Sequence, residues 1–158
     1  MAWTHAGLAY AGEESPSAFQ DVSRRLHLEL RAARVPQMIR AALARAALGR
    51  CDADVPIDLT WARDFERDVL LAARRIPRGQ TRPYRWLARQ ARRPLAVRAA
   101  ASAIAKNPLW LLVPCHRVVY ADGTLGPYGS DGNARKRELL KREGVDLAAR
   151  PRALQARS

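Results

Sequence analysis

The chain has 158 residues, 48% of them hydrophobic and 27% charged, with a formal net charge of +13 at pH 7. That length suits one ordinary domain or two small ones sharing a core, and no apolar run approaches the ~18 residues needed to cross a bilayer. Met1–Tyr10 lacks a basic stretch followed by an apolar one and the only cysteines are Cys51 and Cys115, so membrane, secreted and disulfide-scaffold classes are set aside and both thiols are expected to be reduced.

Leu8–Ala11 predicts a short apolar segment and Glu13–Pro16 a turn. Phe19, Val22, Leu26 and Leu30 recur at helical spacing, as do Met38, Ile39, Ala42, Leu43 and Ala46, which predicts two helices separated at Pro36, the second ending at Gly49. This stretch carries no recognisable chemistry, and its expected role is structural. His5, His27 and Cys51 are too scattered for a metal site. A junction near Asp52–Thr60 divides the chain into a unit of residues 1–58, a second of 59–150 and a basic tail, 151–158.

In the second unit Phe65, Val69, Ala72, Ala73 and Ile76 form one face of a helix that Pro77 terminates, and Arg78–Pro83 reads as a loop. A helix from Tyr84 to about Ala91, a break at Arg93-Pro94 and a helix from Leu95 to about Lys106 make a helix-turn-helix pattern, with Pro94 suited to the first turn of the second helix. The second helix holds Ala96, Ala99, Ala100, Ala101, Ala103 and Ala105, which by itself speaks for helix propensity or tight packing. Residues 1–60 hold seven Arg against seven Asp or Glu, whereas 61–158 hold 21 Lys or Arg against eight Asp or Glu. A genome-wide arginine bias would load both halves alike, so the second half is expected to meet an anion through attraction to phosphates, with Arg74, Arg75, Arg82, Arg85, Arg89 and Arg92 contributing.

Pro114-Cys115-His116-Arg117-Val118 puts a sulfur nucleophile beside a base. The apolar run Leu109–Val113 leads in and Val118–Tyr120 leads out, so the pair is expected where a buried β segment is interrupted by proline. In one straight strand the two side chains would point to opposite faces, so a turn is the expected geometry. Only a thiolate is strongly nucleophilic, and His116 is the nearest partner to form it. The dipeptide alone is equally compatible with a small buried thiol beside an incidental histidine.

The flanking landmarks shift that balance. Phe65-Glu66-Arg67-Asp68-Val69, Ile76-Pro77-Arg78-Gly79-Gln80-Thr81, Pro83-Tyr84, Arg98-Ala99-Ala100-Ala101, Asn107-Pro108, the Cys-His turn, Asp122-Gly123, Gly126, Tyr128, Lys136, Leu139-Leu140 and Glu143-Gly144 follow in one order. From Trp61 to Gly144 the chain resembles the O6-alkylguanine-DNA alkyltransferases. The resemblance implies an α/β fold: a small N-terminal α/β unit, then a mainly helical alkyltransferase domain with a winged helix-turn-helix-like DNA-binding element. It implies that Cys115 attacks the alkyl carbon, that His116 takes the thiol proton through a water and that Glu143 orients the histidine. Tyr84 would donate toward the guanine leaving group, and Asn107 would tie the recognition helix to the active-site loop. On the DNA side, Arg98 would fill the space of an extruded base, with Ala96, Ala99, Tyr84 and Arg85 at the interface. Carbonyls of Cys115 and Val118 would read the exocyclic amine, and Tyr128 and Gly129 would wall the pocket.

A thioether is a poor leaving group and no motif positions Cys51 to resolve it, so transfer is expected once per molecule. The partner implied is double-stranded DNA containing O6-alkylguanine, met by a cytoplasmic monomer without a cofactor or metal. The zinc site of some family members is not expected, because the cysteines to build it are lacking. Trp110 stands where relatives usually carry proline or another small residue and is expected to narrow the pocket or offer a stacking platform. The loop Gly129–Asn133 reads one residue longer than usual, and Glu66 and Leu70 read as packing variants. Two other readings are a sensor or regulator of the same fold that binds alkylated DNA without transfer, which the presence of Cys115 disfavours, and a thiol hydrolase, for which no oxyanion motif is evident.

Overall fold

The computed structural model describes residues 1–11, 20–24, 27, 31, 34–47, 55–129 and 132–147. Strand β1 (Ala2–Thr4) runs antiparallel to β2 (Gly7–Tyr10), pairing Trp3 with Leu8 and Thr4 with Gly7. The expected apolar segment Leu8–Ala11 falls largely on β2, whereas three residues are too few for alternation to mark β1. Gly7 has φ +139°, and a Cβ there would lie 2.4 Å from the Pro56 carbonyl oxygen, so glycine is required for the segment 55–60 to lie along the hairpin. That approach is fixed by Leu8 N–H on Pro56 O at 2.9 Å and Asp58 N–H on Leu8 O at 2.8 Å. The buried Asp58 carboxylate accepts from Thr4 Oγ1 at 2.5 Å and from Thr60 N–H and Oγ1 at 2.9 and 2.6 Å. Burial pushes its carboxyl up, and these bonds more than reverse the effect.

Residues 20–24 are helical with Val22 buried. Phe19, Leu26 and Leu30, the Glu13–Pro16 turn, Gly49, Cys51 and the tail lie outside the described residues. Helix α1 (Gln37–Ala47) follows Pro36, whose carbonyl accepts from Arg40 N–H at 3.1 Å. Ile39 is buried, but Met38, grouped with it in the apolar pattern, is 63% exposed. Successive helical residues diverge by about 100°, so the two cannot both face inward.

Helix α2 (Asp64–Arg74) sends Val69, Leu70, Ala72 and Ala73 into the core. Glu66, expected as a packing variant, also caps the helix: its carboxylate takes the Arg63 N–H at 3.5 Å, serving a donor that the first turn leaves without an intrahelical partner. The expected loop at Arg78–Pro83 is partly strand, because β3 (Arg82–Pro83) pairs in parallel with β4 (Val118–Val119). Helix α3 (Tyr84–Gln90) ends on Arg92 at φ +58°, with Arg92 N–H on Arg89 O and Arg93 N–H on Ala88 O, both 2.9 Å. This left-handed stop is one glycine usually makes. It postpones α4 (Val97–Ala105), so Pro94 and Leu95 lie in the connecting turn rather than the helix, Leu95 being 97% exposed. Ala100, Ala103 and Ile104 of α4 are buried, while Ala99 and Ala105 are exposed.

Leu109–Val113 is not a strand. Leu112 N–H and Val113 N–H both fold back onto Leu109 O, at 2.9 and 2.7 Å. A short, mostly buried run has no periodicity to separate strand from helical turn, and Pro108 and Pro114 confine it to a compact one. The expected turn at the Cys-His pair is a 3-10 turn, Cys115–Arg117, which leads into β4, and α5 (Ala134–Arg142) follows. Leu8, Ile39, Val55 and Leu59 share one core cluster with Val69, Leu87, Leu109, Val113 and Cys115. The fold is α/β and mainly helical, with two two-stranded sheets among the described residues. No helix among them is long and apolar enough to cross a membrane.

Candidate active site

Two devices fix Cys115. Its N–H donates to Val113 O at 2.7 Å while its carbonyl accepts from Val118 N–H, which winds the turn tightly. Asn107 closes the run before it: Nδ2 donates to Val113 O at 3.0 Å and Oδ1 accepts Leu109 N–H at 3.0 Å. The side chains of Asn107 and Tyr128 and the charge of Lys136 all favour the thiolate. Burial pushes Cys115 up, those three influences pull it down, and the net is a thiol above its ordinary value. Tyr128 is itself raised, by burial and then by Cys115.

His116 turns toward Glu143, with Nε2 at 3.0 Å from Oε1, and its ring meets Tyr128 edge-on at 6.4 Å. Its buried Nδ1 has no hydrogen-bond partner among the described residues. Arg117, 2% exposed, clamps the same carboxylate through Nε to Oε2 at 2.9 Å and Nη2 to Oε1 at 2.7 Å, and spends Nη1 on Ile76 O at 2.7 Å. Burial would raise Glu143, but His116 and Arg117 hold it down at about 2. Lys136, 1% exposed, donates Nζ to Val118 O at 2.5 Å, and burial pushes its ammonium down to about 8. Among the described residues the carbonyls of Cys115 and Val118 thus each have one donor and keep a second lone pair.

A cleft of about 760 Å³ is lined by Cys115, Tyr84, Asn107, Tyr128, Gly129 and Trp110. Six of the expected residues therefore share one cavity. Tyr84 is raised by burial, then by Tyr120 and Cys115, and packs on Tyr120 at 5.4 Å. A Cβ on Gly126 would lie 2.5 Å from the Tyr84 hydroxyl, so that position stays small for the phenol. Arg85, Arg98 and Ala99 are exposed on α3 and α4, and Ala96 is half-buried at the start of α4. Ala101, Ser102 and Ala105 of α4 line the cleft. Among the basic residues expected to face an anion, Arg74 instead donates to Val55 O at 2.5 Å. Arg82 bonds Thr81 O at 2.9 Å and Gln80 Oε1 at 2.8 Å and stacks 5.8 Å from the Trp86 ring.

Arg117, Lys136, Tyr120, Arg135 and Tyr10 received no role from the sequence, yet the first two brace the site and the other three line the cleft with Lys136. For Arg117 and Lys136 a signal existed, since both lie within the motif and landmarks quoted above. Tyr10 had none, because only the fold brings the hairpin to the cleft.

A family model described as "6-O-methylguanine DNA methyltransferase, DNA binding domain" matches residues 64–145. The chain is 47% identical over 89 residues to the bifunctional transcriptional activator/DNA repair enzyme Ada of Escherichia coli, covering 56% of this chain and 25% of that protein. It is 46% identical over 88 residues to a methylated-DNA–protein-cysteine methyltransferase of Salmonella typhimurium, covering 56% and 51%. The chain thus spans a quarter of the first relative's length and about half of the second's. Among solved structures it is similar to the O6-methylguanine methyltransferase of Mycobacterium tuberculosis, with a TM-score of 0.60 and 36% identity over 79% of this chain and 77% of that one. With a motif-bearing match over half its residues and a structural likeness across most of both chains, the chain belongs to the 6-O-methylguanine DNA methyltransferase family.

Proposed function

We propose that the protein repairs DNA by transferring the alkyl group of O6-alkylguanine, in duplex DNA, to its own Cys115, once and irreversibly; in reaction terms, a methylated-DNA-[protein]-cysteine S-methyltransferase. The observation that carries this reading is Cys115 lining a cleft with Tyr84, Asn107 and Tyr128 while its neighbour His116 is coupled to an ionised, clamped Glu143. Cys115 sulfur attacks the alkyl carbon. The S–C bond forms, the C–O6 bond breaks with its electron pair on guanine, and a proton from Tyr84 restores the neutral base. His116 takes the thiol proton through a water, and Glu143 stabilises the imidazolium that results. The proton returns through these groups to the phenol, so the products are S-alkylcysteine and guanine. A thioether is a poor leaving group, which makes the protein a stoichiometric acceptor.

The exposed Arg85, Arg98 and Ala99 support an interface with the duplex, in which Arg98 fills the gap left by the flipped base. Residues 59–150 would carry binding and chemistry, 1–58 would brace them, and 151–158 would add a basic tail. A cytoplasmic monomer fits this role. The test is Cys115→Ala, which should abolish transfer and keep DNA affinity. Intact mass of wild type after incubation with O6-methylguanine duplex should rise by one methyl group and no more. Transfer by the alanine variant, or repeated turnover by wild type, would overturn the mechanism.

A further inference from the structure

Arg135, in the first turn of α5, has no part in the chemistry above. Its guanidinium carbon lies 4.9 Å from the centroid of the Trp110 ring, and both side chains line the cleft with Cys115. Among the described residues Arg135 makes no ion pair; Glu138, on the same helix, is taken by Arg142. The charge of Arg135 also favours ionisation of Tyr128, which lines the same cleft as Cys115. A guanidinium seated on an indole is held by its face, which leaves the N–H donors along its edge available to a planar anion.

We propose that the Trp110–Arg135 pair makes the cleft select O6 substituents bearing a carboxylate, such as carboxymethyl, over neutral substituents of the same size. The proposal rests on the alkyl-transfer reading and names the substrate class within it. A carboxylate on the attacked carbon brings negative charge beside a sulfur that is itself becoming anionic, and that repulsion slows reaction unless a fixed cation faces it. Arg135 supplies the cation, and Trp110 limits its wandering. A neutral isostere meets the same walls and gains nothing from the charge. The displacement is unchanged: sulfur bonds the methylene carbon, the C–O6 bond breaks with its pair on guanine, and the thiol proton leaves by the same route.

The experiment measures transfer rates by intact mass from three duplexes, holding O6-carboxymethylguanine, O6-carbamoylmethylguanine or O6-methylguanine. Wild type is compared with Arg135→Gln and Arg135→Lys. The expected result is that Arg135→Gln lowers the carboxymethyl-to-carbamoylmethyl ratio about tenfold, the scale of one partly screened charge-assisted hydrogen bond, and that lysine restores part of it. An unmoved ratio overturns the proposal, as does an equal fall in all three rates, which would make Arg135 a phosphate contact. Wild type inert toward the methylated duplex would instead sink the alkyl-transfer reading itself, so the two failures are separable.

Discussion

Replacing Glu143 with Gln removes the charge on which His116 and Arg117 converge, and its cost can be worked out in two ways. The carboxyl is depressed from 4.5 to about 2, and at about 1.4 kcal/mol per tenfold this corresponds to about 3 kcal/mol of folded-state stabilisation of the ionised form. Independently, taking one partner from a buried ion pair costs about 3–5 kcal/mol; Arg117, 2% exposed, would keep Ile76 O at 2.7 Å and whatever the amide oxygen still accepts. The two routes overlap at about 3 kcal/mol, the low end of the second, measurable as a shift of the urea midpoint at neutral pH. The pH dependence supplies the sign. Because the folded carboxyl is depressed, its contribution is fully present above about 4.5 and is lost as pH falls toward about 2. Wild type should weaken through that window, and the glutamine variant should lack this part of the slope. A variant within about 1 kcal/mol of wild type, or one with the same acid slope, would refute the argument that the clamp is an energetically coupled unit.

Arg92 occupies the left-handed stop after α3 at φ +58°, where a side chain costs about 1–2 kcal/mol and glycine's extra chain entropy returns part of that. Arg92→Gly should therefore raise stability by about 0.5 kcal/mol while Arg92→Ala gives none of this gain; a glycine variant that melts lower would contradict the backbone argument. Trp110 lines the cleft, so Trp110→Pro should raise inactivation by free benzylguanine about tenfold relative to methyl transfer, the range open to a few added or removed carbons. Equal selectivity in both proteins would remove Trp110 as a gate. The buried thiol lies above its ordinary value of 9.0, so a small alkylating reagent should label Cys115 slowly at neutral pH and faster as pH rises. Full reactivity at neutral pH would argue against the burial.

Helices with an apolar stripe were legible because burial on one face writes a period into the sequence. Val69, Ala72 and Ala73 follow that rule and are buried together. Met38 does not, because a hydrophobic residue adjacent to Ile39 in a helix points elsewhere whatever its character. Leu109–Val113 misled for the opposite reason: buried on nearly all sides, it carried no period, and its geometry is set by Asn107 bonding at both ends. The site was legible as an ordered set of landmarks around Cys115. What remained hidden were the groups whose roles depend on distant partners. Arg117 meets Glu143 across 26 positions, and Lys136 meets the Val118 carbonyl across 18. An arginine inside an apolar run is itself a clue, since a cation is seldom that deeply buried without a partner.

The arrangement explains why a nucleophile would be kept as its less reactive acid. A thiolate open to solvent is the form that oxidants attack, and a protein that reacts once has no second chance with the same sulfur. Burial holds Cys115 protonated while Asn107, Tyr128 and Lys136 lower what ionisation will cost when it comes. The support from Lys136 fades above about 8, where its own ammonium loses its proton. Glu143, in turn, stays ionised down to about 2 because Arg117 and His116 share it, so the histidine keeps an anion behind it throughout the physiological range. The resting thiol and the poised base therefore come from one layout. The same burial that raises Cys115 excludes water from the Arg117–Glu143 pair, and loosening either should be felt by the other.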